Sequence, residues 1–152
     1  MPTGLLFECD ELVAKWLFNE YLKKPLLYKY DRAIGIVNPS GGLVGAVLFQ
    51  DWNGSNIEIS YYGPKTMTAG IVRCLARYAL TTFDPSRLTA ITSKRNRQFM
   101  RALQKLGFRL EGIQRCFYGK RDCNRNTGVR FVAFREQIEH VAKVTETVKK
   151  CL

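Results

Sequence analysis

Short apolar runs alternate with polar turns over residues 33–62, which is typical of strands joined by tight connections. The runs lie at residues 33–37, 43–50 and 57–62, and the segments between them are rich in Asn, Gly, Pro and Ser. These residue types favour turns because Gly and Asn accept left-handed backbone conformations and Pro fixes its φ angle. The pattern therefore predicts an antiparallel meander of three strands.

A strand and a helix are predicted ahead of this meander. Residues 5–9 form a short apolar run, and Asp10 is a residue type that commonly caps the start of a helix. The apolar residues that follow recur at helical spacing until Pro25 prevents the helix from continuing. Its expected buried face consists of Leu12, Val13, Trp16, Leu17 and Tyr21.

After Gly63 the apolar spacing changes from strand-like to helical. A helix is predicted over residues 71–83, and residues 88–92 read as a buried strand. A strand, a helix and a strand connected in this way form a right-handed crossover. The strands at residues 57–62 and 88–92 are therefore expected to be parallel.

A second helix and a strand pair are predicted over residues 96–134. Asn96 suits the start of this helix, and Gly107 suits the left-handed conformation that ends one. The strands are expected at residues 110–117 and 129–134. The inward face of the helix is expected to consist of Phe99, Met100, Leu103 and Leu106.

These elements predict one α+β domain over residues 1–135 and a helical tail over residues 136–152. Apolar residues of the tail recur at near-helical spacing. The tail is therefore expected to pack either on the domain or on a second copy of the chain, which would produce a homodimer.

Composition excludes several classes of protein. The chain is 46% apolar, but its longest apolar run is far shorter than the ~20 residues of a membrane span. The acidic residue near the amino terminus does not fit a signal peptide. Five irregularly spaced cysteines and one histidine provide no set of four zinc ligands. We expect a cytoplasmic protein with reduced thiols, no membrane association and no metal.

Positive charge is concentrated in one quarter of the chain. The net charge is +11, and residues 94–130 contain eleven basic residues against two acidic ones. Such a region favours a polyanionic partner, namely a nucleotide cofactor, nucleic acid or an acidic protein, although a solvated surface is the ordinary alternative. The eleven are Lys94, Arg95, Arg97, Arg101, Lys105, Arg109, Arg115, Lys120, Arg121, Arg125 and Arg130.

The stretch LTAITSKRNRQFMRALQKLGFRLEGIQR resembles the second half of the GNAT acyltransferases, which use acyl-coenzyme A. Asn96, Gly107-Phe108 and Glu111-Gly112 carry the resemblance. It implies a GNAT-like fold in which helices flank a mixed central sheet. The sheet would contain the antiparallel meander, a parallel βαβ crossover pair and a C-terminal β-hairpin. A wedge-shaped opening between the two parallel strands would receive the cofactor.

The resemblance also assigns a cofactor loop. In the family, a loop of the form (Arg/Gln)-x-x-Gly-x-(Gly/Ala) starts the central helix and binds the pyrophosphate of coenzyme A through backbone amides. A helix start offers unpaired N–H groups and the positive end of the dipole. Here Thr68 stands where the family has its middle glycine, and a plain helix start is the alternative. The corresponding residues are Lys65, Thr66, Met67, Thr68, Ala69 and Gly70.

Further cofactor contacts are implied on both sides of the crossover. Asn96 would lie beside the pantetheine arm, with helix capping as the alternative role. Arg97 would attract the ribose 3′-phosphate, with a solvated helix face as the alternative. The remaining residues assigned to the cofactor are Ser60, Tyr61 and Phe99.

The resemblance also implies candidates for the general acid and the general base. The family often supplies a Tyr seven residues after the Asn as general acid, but Leu103 occupies that position. Glu58 lies on the strand before the cofactor loop, where the family can place its general base, and partial burial would raise its pKa; an exposed strand carboxylate without a role is the alternative. Tyr118 is the candidate acid, with Tyr61 and Tyr62 as further candidates, and packing is the alternative role of all three. Transfer that relies on positioning and water alone is an equal alternative.

The resemblance thus implies an acyl-coenzyme A-dependent N-acyltransferase of divergent bacterial or phage type. Acetyl-coenzyme A is the expected co-substrate, and the acyl group would pass directly to a primary amine in a ternary complex. The alternative is a non-catalytic module that binds nucleic acid or an acidic partner through residues 94–130. A combined reading is an enzyme whose acceptor is presented by nucleic acid.

Overall fold

The structure, a computed structural model, describes residues 4–21, 27–63 and 68–151, and the backbone alone for residues 144–151. Seven strands and four helices form an α+β architecture. In chain order they are β1 (Gly4–Leu6), α1 (Asp10–Tyr21), β2 (Arg32–Val37), β3 (Leu43–Gln50), β4 (Asn56–Tyr62), α2 (Ala69–Phe83), β5 (Arg87–Ser93), α3 (Arg97–Lys105), β6 (Arg109–Gln114), β7 (Gly128–Phe134) and α4 (Arg135–Cys151).

All seven strands lie in one mixed sheet, in the order β1-β2-β3-β4-β5-β7-β6. The meander β2-β3-β4 is antiparallel, β4 and β5 are parallel, and β6 pairs with β7 as a hairpin. The predicted meander, crossover and closing hairpin are therefore confirmed. β7 lies between β5 and β6, so the second strand of the hairpin joins it to the rest of the sheet.

The helices cover the sheet unequally. α2 and α4 pack on one face, where Ile57 and Phe49 are buried. α3 covers the same face further along, with Leu103 packed near Ala90. On the opposite face α1 covers only the meander. None of the described helices therefore covers most of β5, β6 and β7 on that second face.

α1 differs from its predicted burial. Val13 and Leu17 are fully buried, whereas Leu12 is 55% exposed and Tyr21 is 40% exposed. Two residues four apart span one narrow stripe, so the predicted face was too wide. Asp10 is the first residue of the helix rather than a cap before it, and its Oδ1 accepts a hydrogen bond from the Ala33 amide at 3.2 Å.

β6 is shorter than predicted. It ends at Gln114 instead of residue 117. Cys116 has a φ of 56°, a left-handed conformation that a continuing strand cannot contain. Residues 115–127 form a loop in which the exposed rings of Phe117 and Tyr118 meet edge to face, with centroids 4.8 Å apart.

The predicted tail residues belong to α4, whose first half packs against α2. Ile138 and Ala142 are buried, and the Ala142 carbonyl accepts a hydrogen bond from Arg77 Nε at 3.2 Å. The side chains of residues 144–152, which carry the rest of the apolar stripe, lie outside the described part. None of the described helices is long and apolar enough to cross a bilayer.

Candidate active site

The parallel pairing of β4 and β5 stops part way along both strands. Asn56–Ile59 pair with Arg87–Ala90, but β4 continues to Tyr62 and β5 to Ser93 without further pairing between them. The free stretches stay attached to β3 and β7 on their other sides. A wedge therefore opens between the two strands beyond Ile59 and Ala90.

The helix start at the wedge is suited to an anion. Thr68 is the N-cap of α2, and its Oγ1 accepts a hydrogen bond from the Ile71 amide at 3.2 Å. Helix geometry leaves the amides of Ala69 and Gly70 without intrahelical acceptors. A Cβ added at Gly70 would meet only Thr68 Oγ1, at 3.9 Å, so a ligand can approach closely. Lys65, Thr66 and Met67 lie outside the described residues.

A groove runs from this helix start between α2, α3 and α4. It is a cavity of about 470 Å³ that includes the ring of Tyr61. That ring stacks on Phe99 with centroids 5.8 Å apart, and burial raises the Tyr61 pKa to about 12. The groove is mainly apolar, with cationic or titratable groups from Arg73, Lys105 and His140.

Arg73 is the main residue that sequence reasoning missed. Its Nε is buried and has no hydrogen-bond partner among the described residues. α2 contains two arginines in a mainly apolar sequence, and the position of the first, three residues after Gly70, was the available signal. A guanidinium whose buried Nε has no partner among the described residues fits an anion such as the phosphates of coenzyme A, as do the open Gly70 and the free amides.

Asn96 is held by the fold itself. Its Oδ1 caps α3 by accepting from the Phe99 amide at 3.3 Å, and its Nδ2 donates to Thr92 Oγ1 at 3.3 Å. It also lines a cavity of about 240 Å³ at the wedge mouth, together with Tyr61 and Phe99. Arg97, the first residue of α3, is exposed. The capping role is therefore present, and a ligand at the wedge would also meet this side chain.

The second face of the sheet carries the proton-transfer candidates. Glu58 and Ser60 alternate with Ile57 and Ile59 along β4 and point to this face. Burial raises the pKa of the Glu58 carboxyl, Asp51 raises it further, and Arg130 acts in the opposite direction.

Tyr118 reaches the same place from the loop after β6. Burial raises its pKa to about 12, and Tyr62 and Glu58 lie close enough to add to the effect. Glu58, Tyr62 and Tyr118 are thus neighbours, although 60 residues separate the first from the last in sequence. Local sequence patterns give no sign of this convergence.

A polar network fixes β4 to β5 below the wedge. Asn56 Oδ1 accepts from Thr89 Oγ1 at 2.5 Å and from Arg87 Nε at 3.2 Å, and Arg87 also pairs with Glu111. Thr89 is only 1% exposed, so its hydrogen bond stabilises the closed end of the wedge. The described residues include no group of three or more His, Cys, Asp or Glu that could hold a metal ion.

Comparisons with known proteins agree with this geometry. No curated protein sequence gives a significant match. Among solved structures, a point mutant of spermidine N-acetyltransferase SpeG from Vibrio cholerae is similar, with a TM-score of 0.62 at 15% identity over 85% of this chain and 75% of that one. SpeG in complex with manganese ions gives 0.59 at 17% identity, over 88% and 78% of the two chains. These likenesses show a shared fold.

The family model for an acetyltransferase (GNAT) domain matches residues 6–109. The match contains the meander, the cofactor loop, the crossover and Asn96. It covers more than half of the sequence, and it includes both strands of the wedge. The chain therefore belongs to the GNAT acetyltransferases.

Proposed function

We propose that this enzyme transfers an acetyl group from acetyl-coenzyme A directly to a primary amine in a ternary complex. The main support is the end of the β4–β5 pairing at Ile59 and Ala90. The gap beyond these residues opens from one face of the sheet to the other. One face presents an anion-binding helix start, and the other presents Glu58 and Tyr118. A thioester in the wedge would be accessible to an amine from the second face.

On the cofactor side, the amides of Ala69 and Gly70 would hold the diphosphate, assisted by Arg73. Tyr61 and Phe99 provide an apolar wall for the pantetheine arm, and Ser60 and Asn96 lie at the opening. Arg97 is placed to attract a phosphate from solvent. These contacts bind and orient the donor without taking part in bond making.

On the acceptor side, Glu58 would take the proton that an ammonium group must lose before attack. Bound acetyl-coenzyme A supplies a thioester carbonyl as the acetyl donor. As the C–N bond forms and the C–S bond breaks, Tyr118 would donate its proton to the departing sulfur. The second proton, which the nitrogen loses as it becomes an amide, would return Tyr118 to its protonated form. A pKa of about 12 keeps Tyr118 protonated at neutral pH, as a general acid must be.

Initial-rate kinetics test this mechanism. With acetyl-coenzyme A and an amine varied against each other, double-reciprocal plots should intersect, because both substrates are bound together. Calorimetry should detect acetyl-coenzyme A binding without an amine. Parallel plots with an acetylated enzyme in the mass spectrum would contradict direct transfer, and absence of calorimetric binding would contradict the cofactor site.

A second candidate function is binding of nucleic acid through what we call the basic surface. It comprises exposed cations of the β5–α3 turn, α3 and the loop at residues 115–127. Hydrogen bonds from Ser93 Oγ to the Arg125 carbonyl, 2.7 Å, and from the Lys94 amide to the Thr127 carbonyl, 2.8 Å, join these parts. Its cations are Lys94, Arg95, Arg97, Arg101, Lys105, Lys120, Arg121 and Arg125.

Both carboxylates of residues 94–130 form ion pairs. Glu111 pairs with Arg87 and Asp122 pairs with Arg115, so within the described residues they do not neutralise the basic surface. The exposed rings of Phe117 and Tyr118 beside it could stack on bases. This combination of unneutralised charge and exposed aromatic rings favours a single-stranded nucleic acid.

Salt dependence distinguishes nucleic acid binding from cofactor binding. Affinity for a labelled single-stranded oligonucleotide should fall with salt by on the order of a decade for each few phosphates contacted. Changing both Arg121 and Arg125 to Gln should reduce that slope, while acetyl-coenzyme A affinity stays within about twofold. An oligonucleotide affinity that does not change between low and moderate salt would contradict this second function.

A further inference from the structure

Arg87 and Arg130 both lie on the second face of the sheet, and they differ in what they contact. Arg87 is saturated by Asn56, Thr89 and Glu111. Arg130, on β7, is half-buried, yet its guanidinium makes no hydrogen bond or ion pair with any described residue. A guanidinium has five N–H donors, and those of Arg130 are therefore available to a ligand.

The strand register places Arg130 at the wedge. Arg130 lies directly opposite Ile91, which is the first residue of β5 after its pairing with β4 ends at Ala90. Residues opposite each other in an antiparallel ladder point to the same face, and Glu58 shares that face through its neighbour Thr89. The Arg130 side chain therefore begins at the opening, on the side that the acceptor would occupy.

Arg130 is near Glu58 without neutralising it. Its charge acts on Glu58, but no nitrogen of Arg130 lies within 4.0 Å of the carboxylate, the limit for an ion pair. Strand spacings put the two backbone positions about 12 Å apart, and both side chains extend from the same face of the sheet. A small molecule can therefore reach both groups at once.

We propose that Arg130 binds an anionic group of the acyl acceptor, so that the acceptor is a small amine bearing a carboxylate or a phosphate. This proposal rests on the proposed acetyl transfer and adds the substrate class. The amine would lie at Glu58, close to Tyr62 and Tyr118, and the anion would lie at Arg130. A planar guanidinium recognises either oxyanion through paired hydrogen bonds.

The charge of the whole chain favours the same class of acceptor. A net charge of +11 attracts anions and repels polycations such as spermidine. Spermidine appears in the names of several structurally similar proteins, which share 14–17% identity with this chain. The acceptor face of this chain carries Arg130 near Glu58, and this additional cation disfavours a polyamine.

Matched amines test the proposal. 4-Aminobutyrate is compared with butylamine, and phosphoethanolamine with ethanolamine, which distinguishes a carboxylate from a phosphate; spermidine serves as the polycation. The wild-type kcat/KM should be at least tenfold higher for one anionic amine than for its neutral partner. Arg130→Gln should raise KM for that anionic amine by roughly tenfold to a hundredfold and leave KM for the neutral amine within about twofold. Loss of the Arg130 charge near Glu58 should change kcat for both amines alike. Arg130→Lys should restore part of the loss.

Arg109→Gln is the control, since Arg109 lies on the same face but is exposed on the edge strand β6. It should change neither KM. Three results would each overturn the proposal. They are equal kcat/KM for the anionic and neutral amines, an equal rise in KM for both amines in Arg130→Gln, and spermidine as the best acceptor. Calorimetry with acetyl-coenzyme A on the wild type and the same variants tests the proposed acetyl transfer separately. Absence of donor binding to the wild type would refute acetyl transfer itself.

Discussion

Partial removal from water raises the pKa of both Glu58 and Tyr118, because burial disfavours the charged form of each group. The Glu58 carboxylate becomes a stronger base, and the Tyr118 phenol, with a pKa of about 12, stays protonated at neutral pH. Arg130 limits the rise in the Glu58 pKa, so the arginine that we propose binds the acceptor would also tune the proposed base.

Replacing Glu58 by Gln tests its role as base. A base must be deprotonated, so kcat/KM of the wild type should rise with pH through the raised pKa of Glu58 and then level off. Glu58→Gln should lower kcat by about 10²–10⁴-fold and remove that rising limb. Steady-state rates at several pH values measure both effects. A pH–rate profile that keeps the limb would exclude Glu58 as the base.

Stability provides an independent check on the same variant. Because the folded-state pKa of Glu58 is raised, the folded protein binds more protons than the unfolded chain in the interval between the unfolded and folded pKa values. The stabilisation is present at low pH and is lost as pH rises through the folded pKa. Glu58→Gln should therefore be as stable as the wild type, or more so, at neutral pH in thermal denaturation. Marked destabilisation would indicate a structural role instead.

Gly70 is predicted to matter for the ligand more than for the fold. Space is open around a Cβ at this position, so Gly70→Ala should keep or increase stability, by up to about 1 kcal/mol. Gly70→Leu should fold but lower acetyl-coenzyme A affinity at least tenfold, because its side chain covers the helix amides. Calorimetric titration measures the affinity, with Thr81→Leu at the other end of α2 as control. Unchanged affinity would mean that the diphosphate binds elsewhere.

Residues whose role depends on local backbone were predictable, whereas those that depend on distant packing were not. Asn96 and Gly107 were recognised from helix-end chemistry, and Gly107 has a φ of 91° with the Gln137 side chain packed against it. From the sequence alone, Arg130 was counted only as a charge and Arg73 was not considered. Their exposure depends on α4 and on the strand register, which no short segment specifies.

At the scale of elements, α3 connects the wedge to the basic surface through one cap. Asn96→Ala removes the acceptor of the Phe99 amide and should cost about 0.5–2 kcal/mol of stability in denaturant titration. Asn96→Asp keeps the capping oxygen and should regain most of it. If Asn96 also contacts the cofactor, Asn96→Asp should still bind acetyl-coenzyme A more weakly, because its donor is lost. A cap without effect on stability would contradict the geometry of α3.

α4 tests whether the C-terminal segment is part of the core. Ile138 is 4% exposed in the largest buried cluster, so Ile138→Ala should cost about 2–5 kcal/mol. Glu136→Ala, on the exposed side of the helix, should change stability by less than about 0.5 kcal/mol. Urea denaturation measures both. Equal, small effects would show that the domain ends before α4.

Element types were predicted correctly for the described strands and helices, while some boundaries were not. β6 was extended to residue 117 because Cys116 and Phe117 are apolar, and the left-handed turn at Cys116 overrides that pattern. The place of β7 between β5 and β6 is a choice of topology, which strand periodicity does not encode. The wedge followed from the family resemblance rather than from the strand pattern.

At the scale of the whole molecule, the proposed function is divided between the two faces of the sheet. Helices cover one face and form the groove that would receive the donor. The described helices leave the other face largely open at β5 to β7, where the polar groups lie. The unneutralised cations of the basic surface lie beside both. A field of this sign should accelerate the arrival of anionic donors and acceptors alike, and the acceleration should weaken as salt is added.

The early end of the β4–β5 pairing also leaves the sheet incomplete. Main-chain groups of β4 and β5 beyond Ile59 and Ala90 do not pair with each other, so a ligand with several amide groups can form hydrogen bonds in place of a strand. A ligand at a hundred times its Kd would then add about 2.7 kcal/mol to the free energy of unfolding. The cellular concentration of the donor would therefore control the lifetime of the folded protein as well as its rate of turnover.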